Sequence, residues 1–154
     1  MRVCVIGTGY VGLVTGVCLA QMEHQVICVD NNEEKVKLMR VGQSPIYEPG
    51  LSELMVNNMQ AGRLIFTTDL AKGVAESEIL FIAVGTPALE SGASDTRYVE
   101  AVARSIGQNL LDEKYRVIVN KSTVPIGSGD WVRMIVTEGT KARQQETGTA
   151  IAVN

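Results

Sequence analysis

Arg2-Val3-Cys4-Val5-Ile6 followed by Gly7-Thr8-Gly9-Tyr10-Val11-Gly12 is the stretch that decides the fold. The first five residues form a short apolar run rich in β-branched side chains and stopped by glycine, the pattern of a strand buried on both faces. A G-x-G-x-x-G then follows at once and opens a segment, residues 10–21, that is apolar nearly all round and reads as a buried helix. In such a strand–turn–helix, Gly7 permits the tight turn and Gly9 lets the backbone approach a pyrophosphate. Gly12 lets helix and strand pack closely. The free N–H groups and positive dipole end of the helix suit phosphate.

The bare glycine pattern is weak evidence; its context strengthens it. Residues 25–30 form a second apolar strand ending in Asp30, which comes about 20 residues after the glycines, as a dinucleotide fingerprint requires. A carboxylate there accepts hydrogen bonds from the ribose hydroxyls and repels a 2′-phosphate, which favours NAD over NADP. Lys35, in the next helix, can reach the same ribose region.

The rest of the chain repeats the alternation. Asn31 or Asn32 caps a helix that runs to about residue 41, with Glu33 and Glu34 in its first turn. An irregular stretch, 42–50, carries Pro45 and Pro49. Helices are expected at 51–60 and 70–75, with a strand at 64–67 between them. The apolar run 79–84 is a fourth strand, and a helix capped by Asp95 or Thr96 extends to about 111. Residues 116–120 form a fifth strand and 131–138 a helix. The stretch 139–148 is polar, and 149–153 reads as a sixth strand. Alternating strands and helices imply a doubly wound parallel α/β sheet, six strands in the order 3-2-1-4-5-6, as one domain over residues 1–154. The first and fourth strands then flank the point where such folds bind ligands.

Two further tracts fall at that edge. Val84-Gly85-Thr86-Pro87 ends the fourth strand, with glycine for close approach, a hydroxyl, and a proline that halts the strand. After the fifth strand, Ser122 and Thr123 are placed to bond a nicotinamide ribose, an amide or a water, while Lys121 reads as a surface charge. His24 lies in the turn before the second strand, at the wrong end of the sheet for catalysis. Trp131 reads as a packing residue.

Composition narrows the function classes. The 154 residues are 45% hydrophobic and 20% charged, with a net charge of -3, which argues against nucleic acid or an anionic membrane as partner. Residues 3–22 lack charge, yet four glycines interrupt them, unlike a signal core or membrane span. A cytoplasmic protein is expected. Cys4, Cys18 and Cys28 fit neither a disulfide framework nor a zinc site and read as small buried thiols.

Taken together, GTGYVGL, VCVD, SPIYEPGL, TTD, AVGTP and KSTVPIG resemble the UDP-glucose/GDP-mannose dehydrogenase family, from Met1 to Asn154. The tract nearest to a signature is Pro45-Ile-Tyr-Glu-Pro-Gly-Leu51. The family oxidises a sugar C6 alcohol to a carboxylate in two NAD-linked steps. The resemblance implies that Gly7, Gly9, Tyr10, Val11 and Gly12 cradle the pyrophosphate and that Asp30 and Lys35 hold the adenosine ribose. It implies that Thr86 and Thr123 line the cofactor site, Thr123 also positioning a catalytic water. It implies a UDP-sugar substrate, UDP-glucose ahead of UDP-N-acetylmannosamine or GDP-mannose, and a full-length protein that is a homodimer or larger.

The family's catalytic glutamate, lysine, asparagine, nucleophilic cysteine and aspartate fall beyond residue 154, as do its central helix and sugar-nucleotide domain. None of the three cysteines matches the nucleophile. The expectation is therefore an NAD-binding portion that is inactive alone; the alternative is a stand-alone NAD-binding or sensing module.

Overall fold

A computed structural model describes residues 1–112 and 114–147. The elements run β1 (Arg2–Ile6), α1 (Tyr10–Gln21), β2 (Gln25–Val29), α2 (Glu33–Arg40), α3 (Leu51–Gln60), β3 (Leu64–Thr67), α4 (Leu70–Glu76), β4 (Ile79–Ile82), α5 (Arg97–Asn109), β5 (Val117–Asn120) and α6 (Ser128–Thr147). The five strands form one parallel sheet in the order β3-β2-β1-β4-β5. This is the expected doubly wound α/β arrangement, with β1 and β4 adjacent at its centre. The expected sixth strand, 149–153, lies outside the described residues.

The apolar runs of the inner strands follow from burial on both faces. Successive side chains of a strand point to opposite sides, so Val3 and Val5 join one core and Cys4 and Ile6 the other. The first core holds Leu13 and Val17 of α1, Val36 and Met39 of α2, and Leu51 and Met55 of α3. The second holds Val74 of α4, Val99, Ala103 and Ile106 of α5, and Val132, Ile135 and Val136 of α6. Among the described residues no helix is long and apolar enough to cross a membrane.

Two expectations are corrected. The stretch 139–147 is helical, so α6 runs well past 138. Gly139, a poor helix former, is here a contact surface. A Cβ there would lie 2.4 Å from the Arg104 carbonyl oxygen, and one at Gly107 would lie 2.1 Å from that of Val136. The two glycines let α5 and α6 touch backbone to backbone, and the Thr140 hydroxyl, on the buried side of the seam, donates to Gly107 O at 3.2 Å. Cys18 is exposed, whereas Cys4 and Cys28 are buried. Since α1 is apolar on every side, its sequence gives no sign of which face meets the sheet. Trp131 packs against the second core as expected.

Candidate cofactor site

The loop from β1 to α1 is shaped by what it must avoid. Gly7 has φ +96°, and a Cβ on it would sit 2.7 Å from the Ala83 carbonyl oxygen. A Cβ on Gly12 would lie 1.8 Å from Gly7 O, so α1 presses directly on its own entry loop. Gly9 caps α1 with no side-chain acceptor, and the first helical bond runs from Leu13 N–H to Gly9 O. The amides of Tyr10, Val11 and Gly12 precede that bond and have no helical acceptor. A Cβ on Gly9 would meet nothing within 4 Å, and the same holds for Gly85 across the cleft. Free amides beside open room on both sides fit a diphosphate.

β2 delivers Asp30 to this loop, only 9% exposed. Its Oδ2 accepts the Thr8 amide at 2.9 Å, the Thr8 hydroxyl at 2.6 Å and the Lys35 ammonium at 3.0 Å. Its Oδ1 accepts the Asn32 amide at 3.0 Å. Burial works to raise the Asp30 pKa, but the hydrogen bonds from Thr8, Asn32 and Lys35 outweigh it and hold the carboxyl below its ordinary value. Asn32 also caps α2 by accepting the Lys35 amide at 3.0 Å, as one of the two expected caps.

A cleft of about 610 Å³ opens from here across the C-terminal ends of the strands. Gly7, Gly9, Asp30, Lys35, Val84, Gly85 and Pro87, all read from the sequence, line it together. The 85–95 loop is closed by the Asp95 amide donating to Pro87 O at 2.8 Å. Asp95 itself is held near pKa 2 by hydrogen bonds from the Arg97 side chain and amide. Tyr10, Val11 and Gly12 stand at the start of α1, outside that cleft lining, and Thr86 is half-buried beside it. The Tyr10 hydroxyl donates to the Tyr47 carbonyl, which fastens the 45–50 loop to the start of α1. Ser122 sits at the end of β5 with its hydroxyl donated to Val84 O at 2.8 Å, bracing β4 rather than facing the cleft. Thr123 and Lys121 are exposed. His24 lies in the turn between α1 and β2, at the opposite rim.

The sequence reading passed over several cleft residues. Thr8, between two of the glycines, carries the shortest bond to Asp30. Tyr98, Ala101, Val102 and Ser105 form one stripe of α5 along the cleft, at the 3- and 4-residue spacing of a helix face. That spacing was visible, but it is the same pattern a core-facing stripe gives.

Comparisons with known proteins point to one family. The profile of the UDP-glucose/GDP-mannose dehydrogenase family, NAD binding domain, matches residues 1–154. The chain is 47% identical over 154 residues to a UDP-glucose 6-dehydrogenase of Pseudomonas aeruginosa, covering 100% of this chain and 34% of that one. It is 50% identical over 139 residues to a UDP-glucose 6-dehydrogenase of Rhizobium meliloti, covering 90% of this chain and 31% of the relative. A ternary complex of GDP-mannose dehydrogenase from Pseudomonas aeruginosa superposes with TM-score 0.88 at 39% identity, over 92% of this chain and 33% of that one. A UDP-glucose dehydrogenase from Pyrobaculum islandicum gives 0.86 at 40% identity, over 90% and 32%. The chain thus spans about a third of the length of the relatives it matches. The glycine loop, the acidic strand end and the full-length family match lead to one conclusion: this chain belongs to the UDP-glucose/GDP-mannose dehydrogenase family, as its NAD-binding domain.

Proposed function

We propose that this domain serves a nucleotide-sugar dehydrogenase that oxidises the C6 alcohol of UDP-glucose to a carboxylate in two NAD-linked steps. The observation that carries the reading is Asp30, held ionised by Thr8 at the mouth of a glycine loop that leads into the unpaired first-turn amides of α1. In this reading the amides of Tyr10, Val11 and Gly12 hold the pyrophosphate, with Gly7 and Gly9 keeping the approach clear. Asp30 and Lys35 hold the adenosine ribose. Val84, Gly85, Thr86 and Pro87 border the crevice toward the nicotinamide, and Ser122 keeps the end of β5 against β4. Thr123, exposed at that edge, orients a water for the hydrolytic half of the reaction. Bound NAD supplies the hydride acceptor; the chain's residues bind and orient it.

UDP-glucose is preferred because the relatives at 47% and 50% identity carry that name. The sugar pocket, the nucleophilic cysteine and a homodimeric or larger assembly belong to the remaining two thirds of the enzyme, which works in the cytoplasm. Titration of NADH fluorescence against the chain tests the core of this. Saturable binding, with no turnover of UDP-glucose by the chain alone, is expected. No saturable change at millimolar NADH overturns it. The reading frame beyond Asn154 separates this from a stand-alone binding module: a stop codon there contradicts the proposal.

A further inference from the structure

The donors on Asp30 are not equivalent. A carboxylate offers about four lone-pair sites, two on each oxygen. Three donors crowd Oδ2, while Oδ1 carries the Asn32 amide and retains one open site. A ribose presents two hydroxyls. One fits the open site on Oδ1; the second must replace a donor on Oδ2. The Thr8 amide is fixed in the turn, and Thr8 as a whole is 0% exposed. Lys35, by contrast, is 28% exposed at the end of a flexible side chain. The ammonium is the donor that can leave.

Thr8 therefore has a task beyond filling the glycine loop. Its hydroxyl bond to Oδ2 is the shortest of the four contacts, and together with its amide it fixes the carboxylate at one point. Without the hydroxyl, Asp30 is held on that side by one amide and by the mobile Lys35. With the Thr8 and Asn32 amides as its only fixed donors, the carboxylate turns away from the loop more readily. A turned carboxylate no longer grips a 2′-hydroxyl and no longer repels a 2′-phosphate, and the freed ammonium becomes a partner for that phosphate.

We propose that Thr8 is the positioning residue that aims Asp30 at the adenosine ribose, with Lys35 as the yielding donor, so that the Thr8 hydroxyl sets the discrimination between NAD and NADP. The inference rests on the assignment of Asp30 to the ribose, and the test separates the two. NADH and NADPH affinities are measured by fluorescence titration for the wild-type chain, Thr8→Val, Thr8→Ser and Asp30→Asn, each checked for folding by circular dichroism. Thr8→Val keeps the shape and the amide but loses the hydroxyl. It is expected to bind NADH about tenfold more weakly, the loss of one hydrogen bond to a charged group. NADPH affinity is expected to hold or rise, so the preference narrows by at least that factor. Thr8→Ser is expected to restore the wild-type ratio.

An unchanged ratio in Thr8→Val overturns the proposal, whether both affinities stay or both fall together, the latter being the mark of a merely structural residue. A Thr8→Ser variant that behaves like Thr8→Val overturns it too. If Thr8→Val does not fold, Thr8→Ala is read by the same ratio. If Asp30→Asn leaves NADH binding untouched, the ribose assignment itself fails. If Asp30→Asn weakens it and Thr8→Val does not, only the role of Thr8 is lost.

Discussion

At the N-terminal rim of the sheet the chain closes its own helix ends, while at the C-terminal rim it leaves one open. Arg63, just before β3, donates to Ala20 O at the last turn of α1. Arg116, just before β5, donates to the carbonyls of Val74, Ala75 and Ser77 at the end of α4, and its side chain is only 4% exposed. Asp112 pairs with the same guanidinium, which holds its carboxyl well below the usual carboxylate range. Helix C-termini carry partial negative charge, and cations of the chain answer it. At the other rim the amide end of α1 meets Gly9, and no acidic side chain stands in its first turn. The difference follows from parallel topology. Each helix returns against the strands, so all amide ends fall on one rim and all carbonyl ends on the other. One rim is closed by the chain's own cations; at the other, Asn32 and Asp69 cap α2 and α4 while the start of α1 stays open, where the proposed reading seats a diphosphate.

The largest expected effect strikes the open rim. Gly12→Ala sets a methyl 1.8 Å from Gly7 O, so either the loop or α1 must move. We expect loss of NADH binding in titration and a stability loss of about 3 kcal/mol or more by urea denaturation, at the upper end of overpacking costs. Arg116→Ala strikes the sealed rim. It strands the part-buried carbonyls of Val74 and Ser77 and should cost about 2–3 kcal/mol in the same denaturation, yet leave the NADH affinity of the folded chain within about twofold, since separate sites without shared partners add independently. If Arg116→Ala also weakens NADH severalfold, the two rims are coupled and the contrast fails.

Acidification sharpens the comparison. Asp30 and Asp112 both have folded pKa values below the ordinary carboxylate value of about 3.9. Their contribution to stability is fully present above that value and is lost as pH falls through the depressed folded values. In Arg116→Ala, Asp112 loses its main partner, so the acid dependence of the urea midpoint should flatten. The fall of NADH affinity as pH drops through the depressed Asp30 value should persist, because Asp30 keeps its donors. A parallel flattening of both curves contradicts separate rims.

The smallest effect concerns the thiols. Burial pushes Cys4 up to about 12 and Cys28 further still, whereas Cys18 is exposed. An aromatic disulfide reagent should therefore label one thiol in the native chain and three in denaturant. Cys18→Ser should change stability by less than about 0.5 kcal/mol.

The sheet was readable because inner strands, buried on both faces, have no choice but to be apolar: residues 3–6 and 26–29 could hardly be anything else. The cofactor loop was readable because Gly7, Gly9 and Gly12 stand at fixed spacing between an apolar strand and a helix, a pattern the local sequence already contains. What escaped depended on distant partners. Gly139 breaks a helix by propensity, and only Arg104 and Gly107 on the neighbouring helix give it a reason to be there. Cys18 sits in a helix without a polar side, so exposure was not encoded locally. Thr8 acquires its task from Asp30, 22 residues away, through a bond that neither residue announces alone.

The seam between α5 and α6 has a mechanical consequence for the segment that leads into it. With Gly107 and Gly139 in backbone contact, α6 can neither roll nor slide without colliding with its neighbour. At the near end of the same segment, Ser122 is tied to Val84. At the far end, Ser128 is tied to Pro125. Residues 122–128 are thus anchored to β4 at one end and run into the wedged helix at the other, with Ile126 projecting fully into solvent and Gly127 at φ +87° between them. Thr123 stands one residue from the first anchor, so the hydroxyl that holds Ser122 also limits how far Thr123 can swing.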